Sequence, residues 1–360
     1  MSKKIAERPD SLVLDVKHGE GAFMETVEDA RLLAESLVAV GEANGLTPTT
    51  AFLTDMNHPI GRAVGNWLEV EECIDVMKGN LRHDRLRLGR DLIALVVVQA
   101  GQMLYQSCGS RTRSCSRTRS NSSGPEDAGT TGADDEDEND DDDDDGASYR
   151  KYARMSLEEC IRHAHEVLDS GKVLETFRRM LLAQGAEATH LHTALDTPGS
   201  IPLAKYLAAW VYREEEDAGT ETATAAITGN TACTRIVDIP AKEVGDVAVV
   251  LGAGRFKASD DVDGQAGLVF GKQTGDAVVD GDVLVTVYTN RSQEVADAAL
   301  RRMRRVVRFE TSTTTTTTTM TSPSGDQSSS RFKPSPIVTH RVTSEGGMEA
   351  FVMPDFLVDR

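Results

Sequence analysis

Polar and glycine residues that could contact a ligand cluster in two short segments, each directly after a strand-like run. They are Lys17, His18, Gly19 and Gly21 in the first segment, and Asp55, Asn57 and His58 in the second. Imidazole and carboxylate groups can transfer protons, and backbone amides at glycines can cradle phosphate. A lone Gly-x-Gly is a weak phosphate signal, however, and either histidine could be a surface residue. We therefore predict no catalytic residue here, and we predict that Lys17 forms a salt bridge or a loop contact.

The elements around these segments have the pattern of a βαβ unit. Residues 11–16 form a short apolar run that is typical of a buried parallel strand, and residues 49–54 predict a second strand. Between them, Thr26 and Asp29 resemble the capping box of a helix. Gly45 stands where a glycine commonly ends one. Because ligands bind at the carboxyl ends of the strands in open α/β sheets, the two segments indicate a binding edge.

Further periodic segments predict more helices and a second compact region. Helical spacing covers residues 66–78, 91–106, 157–169, 172–184 and 293–307. In residues 275–288, Gly-Asp pairs separate alternating valines, which is typical of tight turns between short strands. The sequence therefore predicts an α/β fold, an open mixed sheet with flanking helices, followed by an α+β module.

Composition excludes several classes of protein. No run of about 18 apolar residues predicts a membrane helix, and residues 1–9 lack the apolar core of a secretory signal. Five cysteines without a C-x-x-C pair argue against a disulfide framework or a structural zinc site, so we expect a cytoplasmic protein. The net charge of -19 argues against nucleic-acid binding.

Much of that charge lies in one stretch of low complexity. Residues 107–148 contain 13 acidic and 4 basic residues, including the nearly pure acidic run 134–145. Such a run could bind calcium or histones, but a solvated, disordered insertion is the simpler interpretation. The predicted domains are a first α/β part at 1–106, this insertion, a helical continuation at 149–200, a C-terminal domain at 201–309, and a mostly disordered Thr- and Ser-rich tail at 310–360. Within the tail, residues 351–358 could dock.

Three motifs together resemble one enzyme family. They read DVKHGEGAFM at residues 15–24, LTDMNHPIGRAVGN at 53–66 and LEVEE at 68–72. In this order and spacing they resemble thymidine phosphorylase and pyrimidine-nucleoside phosphorylase. The resemblance continues through residues 171–185 and into LGAGR at 251–255, and it covers about two thirds of the chain. It implies a pentosyltransferase of nucleoside salvage, which splits a pyrimidine nucleoside with phosphate as co-substrate and needs no organic cofactor.

The resemblance also implies residues that contact the base. As the glycosidic bond breaks, the departing pyrimidine gains negative charge, which a cationic donor stabilises. In the family a Ser-x-x-x-Lys pair on a helix supplies this donor, and Lys3 matches the lysine. The matching serine would fall two residues before Met1. Phe23 matches the residue that closes the apolar side of the base pocket.

A cation site is implied in the same way. Bacterial relatives hold a monovalent or divalent cation with two carbonyl oxygens and one carboxylate. By match these are the carbonyls of Ile60 and Ala63 and the side chain of Glu72, a set of oxygen ligands suited to K⁺ or Ca²⁺.

The chain also departs from the family pattern. The family's Gly- and Thr-rich phosphate loop, and nearly all of the helical lobe through which the family forms homodimers, have no match in these 360 residues. Two explanations stay open, a sequence that starts at an internal methionine and a genuine remnant. We expect no phosphorolysis by these 360 residues alone.

Three other functions compete. A noncatalytic relative could keep the fold for binding or assembly. A biotin or lipoyl carrier would present a lysine on the hairpin near residue 288, where the sequence reads VYTN. Anthranilate phosphoribosyltransferase shares the fold superfamily but lacks a module like residues 231–309.

Overall fold

The structure is a computed structural model of the whole chain. It describes residues 1–79, 89–119, 155–196, 204–213, 231–314 and 336–358. Most of the acidic insertion, the polar stretch 214–230 and residues 315–335 of the tail therefore lie outside the described residues.

The first sheet has four strands in the order β1-β2-β10-β11. They are β1 (Leu12–His18), β2 (Thr49–Asp55), β10 (Val338–Thr343) and β11 (Gly347–Ala350). β1 and β2 pair in parallel from Leu12↔Thr49 to His18↔Asp55, whereas β10 is antiparallel to both of its neighbours. The predicted mixed sheet is thus confirmed. β2 is its centre, with six of seven residues buried.

The helices of this part of the chain are α1 (Ser2–Glu7), α2 (Val27–Ala43), α3 (Asn66–Met77), α4 (Arg90–Arg119), α5 (Leu157–Asp169), α6 (Lys172–Ala183) and α7 (Ala188–Asp196). Three of them, α2, α4 and α5, cover the faces of this sheet. The Thr26 hydroxyl accepts the Asp29 amide at the start of α2, as the capping pattern predicted. α2 packs apolar residues on Leu53 and Val342 on one face, and α4 and α5 pack around Phe52 on the other. The chain thereby buries both faces of β2.

Two further sheets build the C-terminal region. The strands are β3 (Ala63–Val64), β4 (Tyr206–Val211), β5 (Thr231–Asp238), β6 (Gly267–Phe270), β7 (Ala277–Val278), β8 (Val283–Thr289) and β9 (Arg308–Thr314). Their orders are β3-β6-β8-β4 and β7-β5-β9. Helices α8 (Ala241–Leu251) and α9 (Gln293–Val306) pack together, and α9 also packs on β4 and β8.

The Gly-Asp turn is present, but the strands that flank it do not pair with each other. Asp282 closes the turn, because its amide donates to the Val279 carbonyl and its carboxylate accepts the Val279 amide. β7 then joins the three-stranded sheet and β8 the four-stranded one. The turn therefore links two sheets.

Two expectations need correction. The tail was predicted to be mostly disordered, yet residues 338–343 and 347–350 form β10 and β11, and Asp355–Val358 forms a short helix, α10. Phe351 docks edge-on against Phe52 with ring centroids 5.3 Å apart, as expected for residues 351–358. The helix predicted to end at Gln106 continues as α4 to Arg119, inside the stretch assigned to the disordered insertion. Local composition hid β10, because its pairing with the buried strand β2 outweighs the polar sequence around it.

Among the helices in the described ranges, none has the length of apolar sequence that a membrane span requires.

Candidate functional site

The loops that follow β1 and β2 interlock at one edge of the first sheet. The Met56 amide donates to the His18 carbonyl at 2.8 Å, and the Gly21 amide donates to the Met56 carbonyl at 3.1 Å. The Glu20 amide donates to Asn57 Oδ1 at 3.0 Å. The two segments singled out in the sequence therefore form one surface, as the parallel pairing of their strands predicted.

The two glycines of the first loop serve this close packing. Gly19 has φ of +111°, and a Cβ there would lie 2.7 Å from Asn57 Oδ1. A Cβ on Gly21 would lie 2.7 Å from the Met56 carbonyl oxygen. This close packing against the second loop explains why both positions are glycine, and no bound phosphate is needed to explain them.

Lys17 makes the salt bridge that the sequence analysis predicted. Its Nζ lies 2.6 Å from Asp15 Oδ2, and the Thr54 hydroxyl donates to the other oxygen of the same carboxylate. The ammonium charge is thus balanced on the strand itself. Lys17 is a structural residue here.

The two histidines bind protein groups. His18 is 6% exposed, its Nε2 lies 3.2 Å from Thr339 Oγ1, and burial lowers its pKa although Asp55 opposes the shift. His58 Nδ1 lies 3.2 Å from the Ile239 carbonyl oxygen and 3.5 Å from Asp238 Oδ1. His18 thus contacts the tail at Thr339, and His58 connects the second loop to Asp238 and Ile239 of the C-terminal region.

The two residues predicted to contact the base are both exposed. Lys3 lies on α1, a helix without a buried residue. Within the described residues its side chain has no hydrogen bond or ion pair. Phe23 precedes α2 and is 95% exposed. Both side chains are accessible to a ligand, and their assignment to a base pocket stays a prediction.

The loop that contains Ile60 and Ala63 folds around the Glu72 carboxylate. Glu72 is 3% exposed, and its two oxygens accept the amides of Arg62 at 2.8 Å and Ala63 at 3.0 Å. Arg62 Nε lies 3.7 Å from Glu72 Oε1. Burial raises the pKa of Glu72, and these two amides oppose the rise.

This arrangement bears on the predicted cation site. The structure brings Glu72 to the loop, but Arg62 and two N–H donors already balance the carboxylate charge. The donor set therefore fits a cation poorly. The cation site formed by Ile60, Ala63 and Glu72 stays a prediction.

A second buried carboxylate, which the sequence analysis missed, holds the same loop. Both oxygens of Asp91, at the start of α4, accept the Gly61 amide at 3.1 Å. Gln273 Nε2 donates to the Gly61 carbonyl at 3.0 Å, and the Phe270 amide donates to the Arg62 carbonyl at 2.7 Å. Burial raises the pKa of Asp91. Loop 60–64 thus joins the first sheet region to the C-terminal region.

Beside this loop lies a cavity of about 350 Å³. The two regions and the tail all line it, through His58, Asp91, Thr274, Ile337 and Met353 among others. Thr274 Oγ1 is buried, and among the residues that the structure describes it has no hydrogen-bond partner. The cavity could not be expected from the sequence because its walls come from six separate segments of the chain. For the part of the wall that the tail supplies, the sequence did contain a signal. The apolar residues Ile337 and Val338 lead into the alternating apolar and polar residues of β10, a pattern that is typical of a strand.

Comparison with known proteins gives two family matches. Residues 1–122 match a model described as the glycosyl transferase family a/b domain, and residues 235–310 match one described as the pyrimidine nucleoside phosphorylase C-terminal domain. The pyrimidine-nucleoside phosphorylases of Staphylococcus aureus strains RF122 / ET3-1 and USA300 are each 31% identical over 297 residues. The alignment covers 82% of this chain and 51% of each relative, so the chain spans about half the length of the curated relatives it matches.

Proposed function

Because the chain belongs to the pyrimidine-nucleoside phosphorylase family, a family of pentosyltransferases, we propose that it takes part in the phosphorolysis of a pyrimidine nucleoside or deoxynucleoside, either uridine or thymidine. The products are the free base and ribose or deoxyribose 1-phosphate. The 31% identity over 297 residues carries this proposal. As part of it, we place the reaction in the cytoplasm, because five cysteines without a C-x-x-C pair suit a reducing compartment.

The reaction makes one electrostatic demand on the chain. The bond between the sugar C1′ and the base nitrogen breaks, its electron pair goes to the base, and a phosphate oxygen bonds to C1′. A positive donor at the base oxygens lowers the energy of this transition state. We assign that donor to Lys3, whose side chain is exposed and has no partner in the described part of the chain.

The apolar face of the base needs a matching surface. We assign this apolar surface to Phe23. Its side chain is 95% exposed, so a flat base that covers the ring removes apolar surface from water and lowers the free energy of the complex. Phe256, which is 72% exposed and lies in the C-terminal region, provides a matched control. In the mixture of this chain with the unmatched half of the S. aureus USA300 phosphorylase, Phe23→Ala is expected to raise KM for the nucleoside, whereas Phe256→Ala leaves KM unchanged.

Phosphate binding is the part of the reaction for which this chain offers no matched residues. We therefore expect no thymine release from thymidine and phosphate by the 360-residue chain alone. We expect release when the unmatched half of the S. aureus USA300 phosphorylase is added as a separate polypeptide. Turnover by the chain alone at roughly 1 per second or more would refute this assignment of the phosphate site.

The alternative, a noncatalytic protein that keeps the fold, makes a different prediction. Such a protein would release no thymine, either alone or together with the unmatched half of the S. aureus enzyme. Lys3→Ala would change no measured property of it. This outcome with a folded complex of the two polypeptides would reject the catalytic proposal.

A further inference from the structure

We propose that two histidines, His18 on β1 and His340 on β10, make the attachment of the tail to the first sheet dependent on pH, so that acidification loosens the tail. Both rings contact the hydroxyl of Thr339. The evidence is the hydrogen bonding of this hydroxyl, the burial of His18 and the charges around the pair. None of these three residues takes part in the reaction proposed above.

β10 is the strand through which the tail joins the sheet. It pairs antiparallel with β2, and next to this pairing the Asp55 amide donates to the Ile337 carbonyl at 2.9 Å. Beyond the hairpin of β10 and β11, Phe351 packs edge-on against Phe52. Ile337 and Met353 line the cavity described above. A change in the attachment of β10 therefore affects both the sheet and one wall of the cavity.

The Thr339 hydroxyl determines which ring nitrogens carry a proton. Its single proton goes to the Leu53 carbonyl oxygen, 3.1 Å away, which can only accept. His18 Nε2 lies 3.2 Å from the same hydroxyl oxygen, and His340 Nδ1 lies 3.1 Å from it. Both of these nitrogens must therefore donate, and each neutral ring keeps its lone pair on the other nitrogen.

The shared hydroxyl also keeps the two rings close to each other. Each ring has a nitrogen within hydrogen-bond distance of one oxygen atom, so two imidazolium charges would lie side by side. His18 is 6% exposed, and water screens the repulsion between like charges only weakly when one of them is buried. A second proton on this pair is therefore unfavourable while the tail is attached.

Three charged groups act on His18 besides its burial. Burial lowers the pKa of His18 from its ordinary 6.5, and the charge of Asp55 opposes this shift. His340 and Lys17 lower the same pKa further. Lys17 is bound by Asp15 at 2.6 Å. Among the described residues, Asp55 is thus the carboxylate that favours a charged His18, and it can balance one proton on the pair but not two.

His340 makes no ion pair of its own within the described part of the chain. The carboxylate of Glu349, on the paired strand β11, is bound by Arg341 at 3.3 Å. Protonation of the pair therefore favours the detached tail, in which water hydrates both rings. Because the pKa of His18 is lowered, the attachment is most stable above the ordinary 6.5 and weakens as the pH falls from there toward the lowered pKa.

Amide hydrogen exchange of the 360-residue chain at about pH 7.5 and about pH 5.5, corrected for the pH dependence of chemical exchange, measures this change. The double variant His18→Gln and His340→Asn keeps an amide N–H donor on each side chain but cannot titrate. His190→Gln, at an 81% exposed histidine of α7, is the matched control. On acidification we expect the protection of residues 338–350 to fall by about fivefold or more in the unmodified chain and in the control, and by less than about twofold in the double variant.

Helix α9, in the C-terminal region, is the internal reference, and its protection should change by less than about twofold. Equal losses of protection at β10 and α9 would indicate a general loss of stability and overturn the proposal. A tail that is protected equally at both pH values would overturn it too, as would a double variant that loosens like the unmodified chain or a control that no longer loosens. If the double variant does not fold, the comparison of β10 with α9 in the unmodified chain decides alone.

Discussion

The buried carboxylate of Glu72 gives the sharpest prediction about stability. In Glu72→Gln, one amide oxygen can still accept one of the Arg62 and Ala63 amides, which now lie 2.8 and 3.0 Å from the carboxylate. The side-chain NH₂ then faces the other amide, so one charge-assisted hydrogen bond worth about 1.5–3 kcal/mol is lost and a buried N–H loses its partner. Removing a buried charge offsets part of this loss. We expect the free energy of unfolding to fall by about 2–3 kcal/mol.

Urea unfolding at neutral pH measures this change by linear extrapolation. Glu71→Gln is the matched control, because this neighbouring side chain accepts no hydrogen bond in the described part of the chain, and we expect it to change the free energy by less than about 0.5 kcal/mol. If Glu72→Gln also lowers the free energy of unfolding by less than about 0.5 kcal/mol, the carboxylate does not hold loop 60–64.

Two further predictions concern Asp91 and the tail. Burial raises the pKa of Asp91 above its ordinary 3.8, so its contribution to stability is complete below that pH and is lost as pH rises through the raised pKa. The side chain in Asp91→Asn cannot titrate, so this variant is the reference. In urea melts at a series of pH values, the free energy of unfolding of the unmodified chain minus that of the variant should fall as the pH increases. A difference that stays constant with pH would contradict the raised pKa. Phe351→Ala removes a ring from buried Phe52 and should cost about 2–4 kcal/mol, against less than about 0.5 for the 85% exposed Val352→Ala; equal thermal shifts would show that the tail is not docked.

The sequence predicted the fold well where local pattern and burial agree. The apolar run of β1, the cap at Thr26 and the Gly-Asp turn all lie where the pattern placed them. The prediction for the tail was wrong because β10 forms by pairing with β2, which is far away in the sequence. The residues around β10 do not show how strongly that pairing stabilises the strand.

The site was predictable only in part. Motifs selected the loop around Ile60 and Ala63 and the carboxylate of Glu72, and the structure brings these together. Asp91 and Gln273 could not be selected, because their role arises when two regions far apart in sequence meet at Gly61. Lys3 and Phe23 rest on the family motif, since an exposed lysine and an exposed phenylalanine have no local feature that marks a base pocket.

The role of Lys3 is the central claim about function, and adjacent lysines allow a direct test. Thymine release is measured in the mixture with the unmatched S. aureus half, for Lys3→Ala and for Lys4→Ala on the same helix. Loss of a transition-state donor predicts a fall in kcat of about 10²- to 10³-fold for Lys3→Ala. Lys4→Ala should change kcat by less than about threefold, because it leaves that donor in place. Equal rates for the two variants would contradict the assignment of Lys3 to the base.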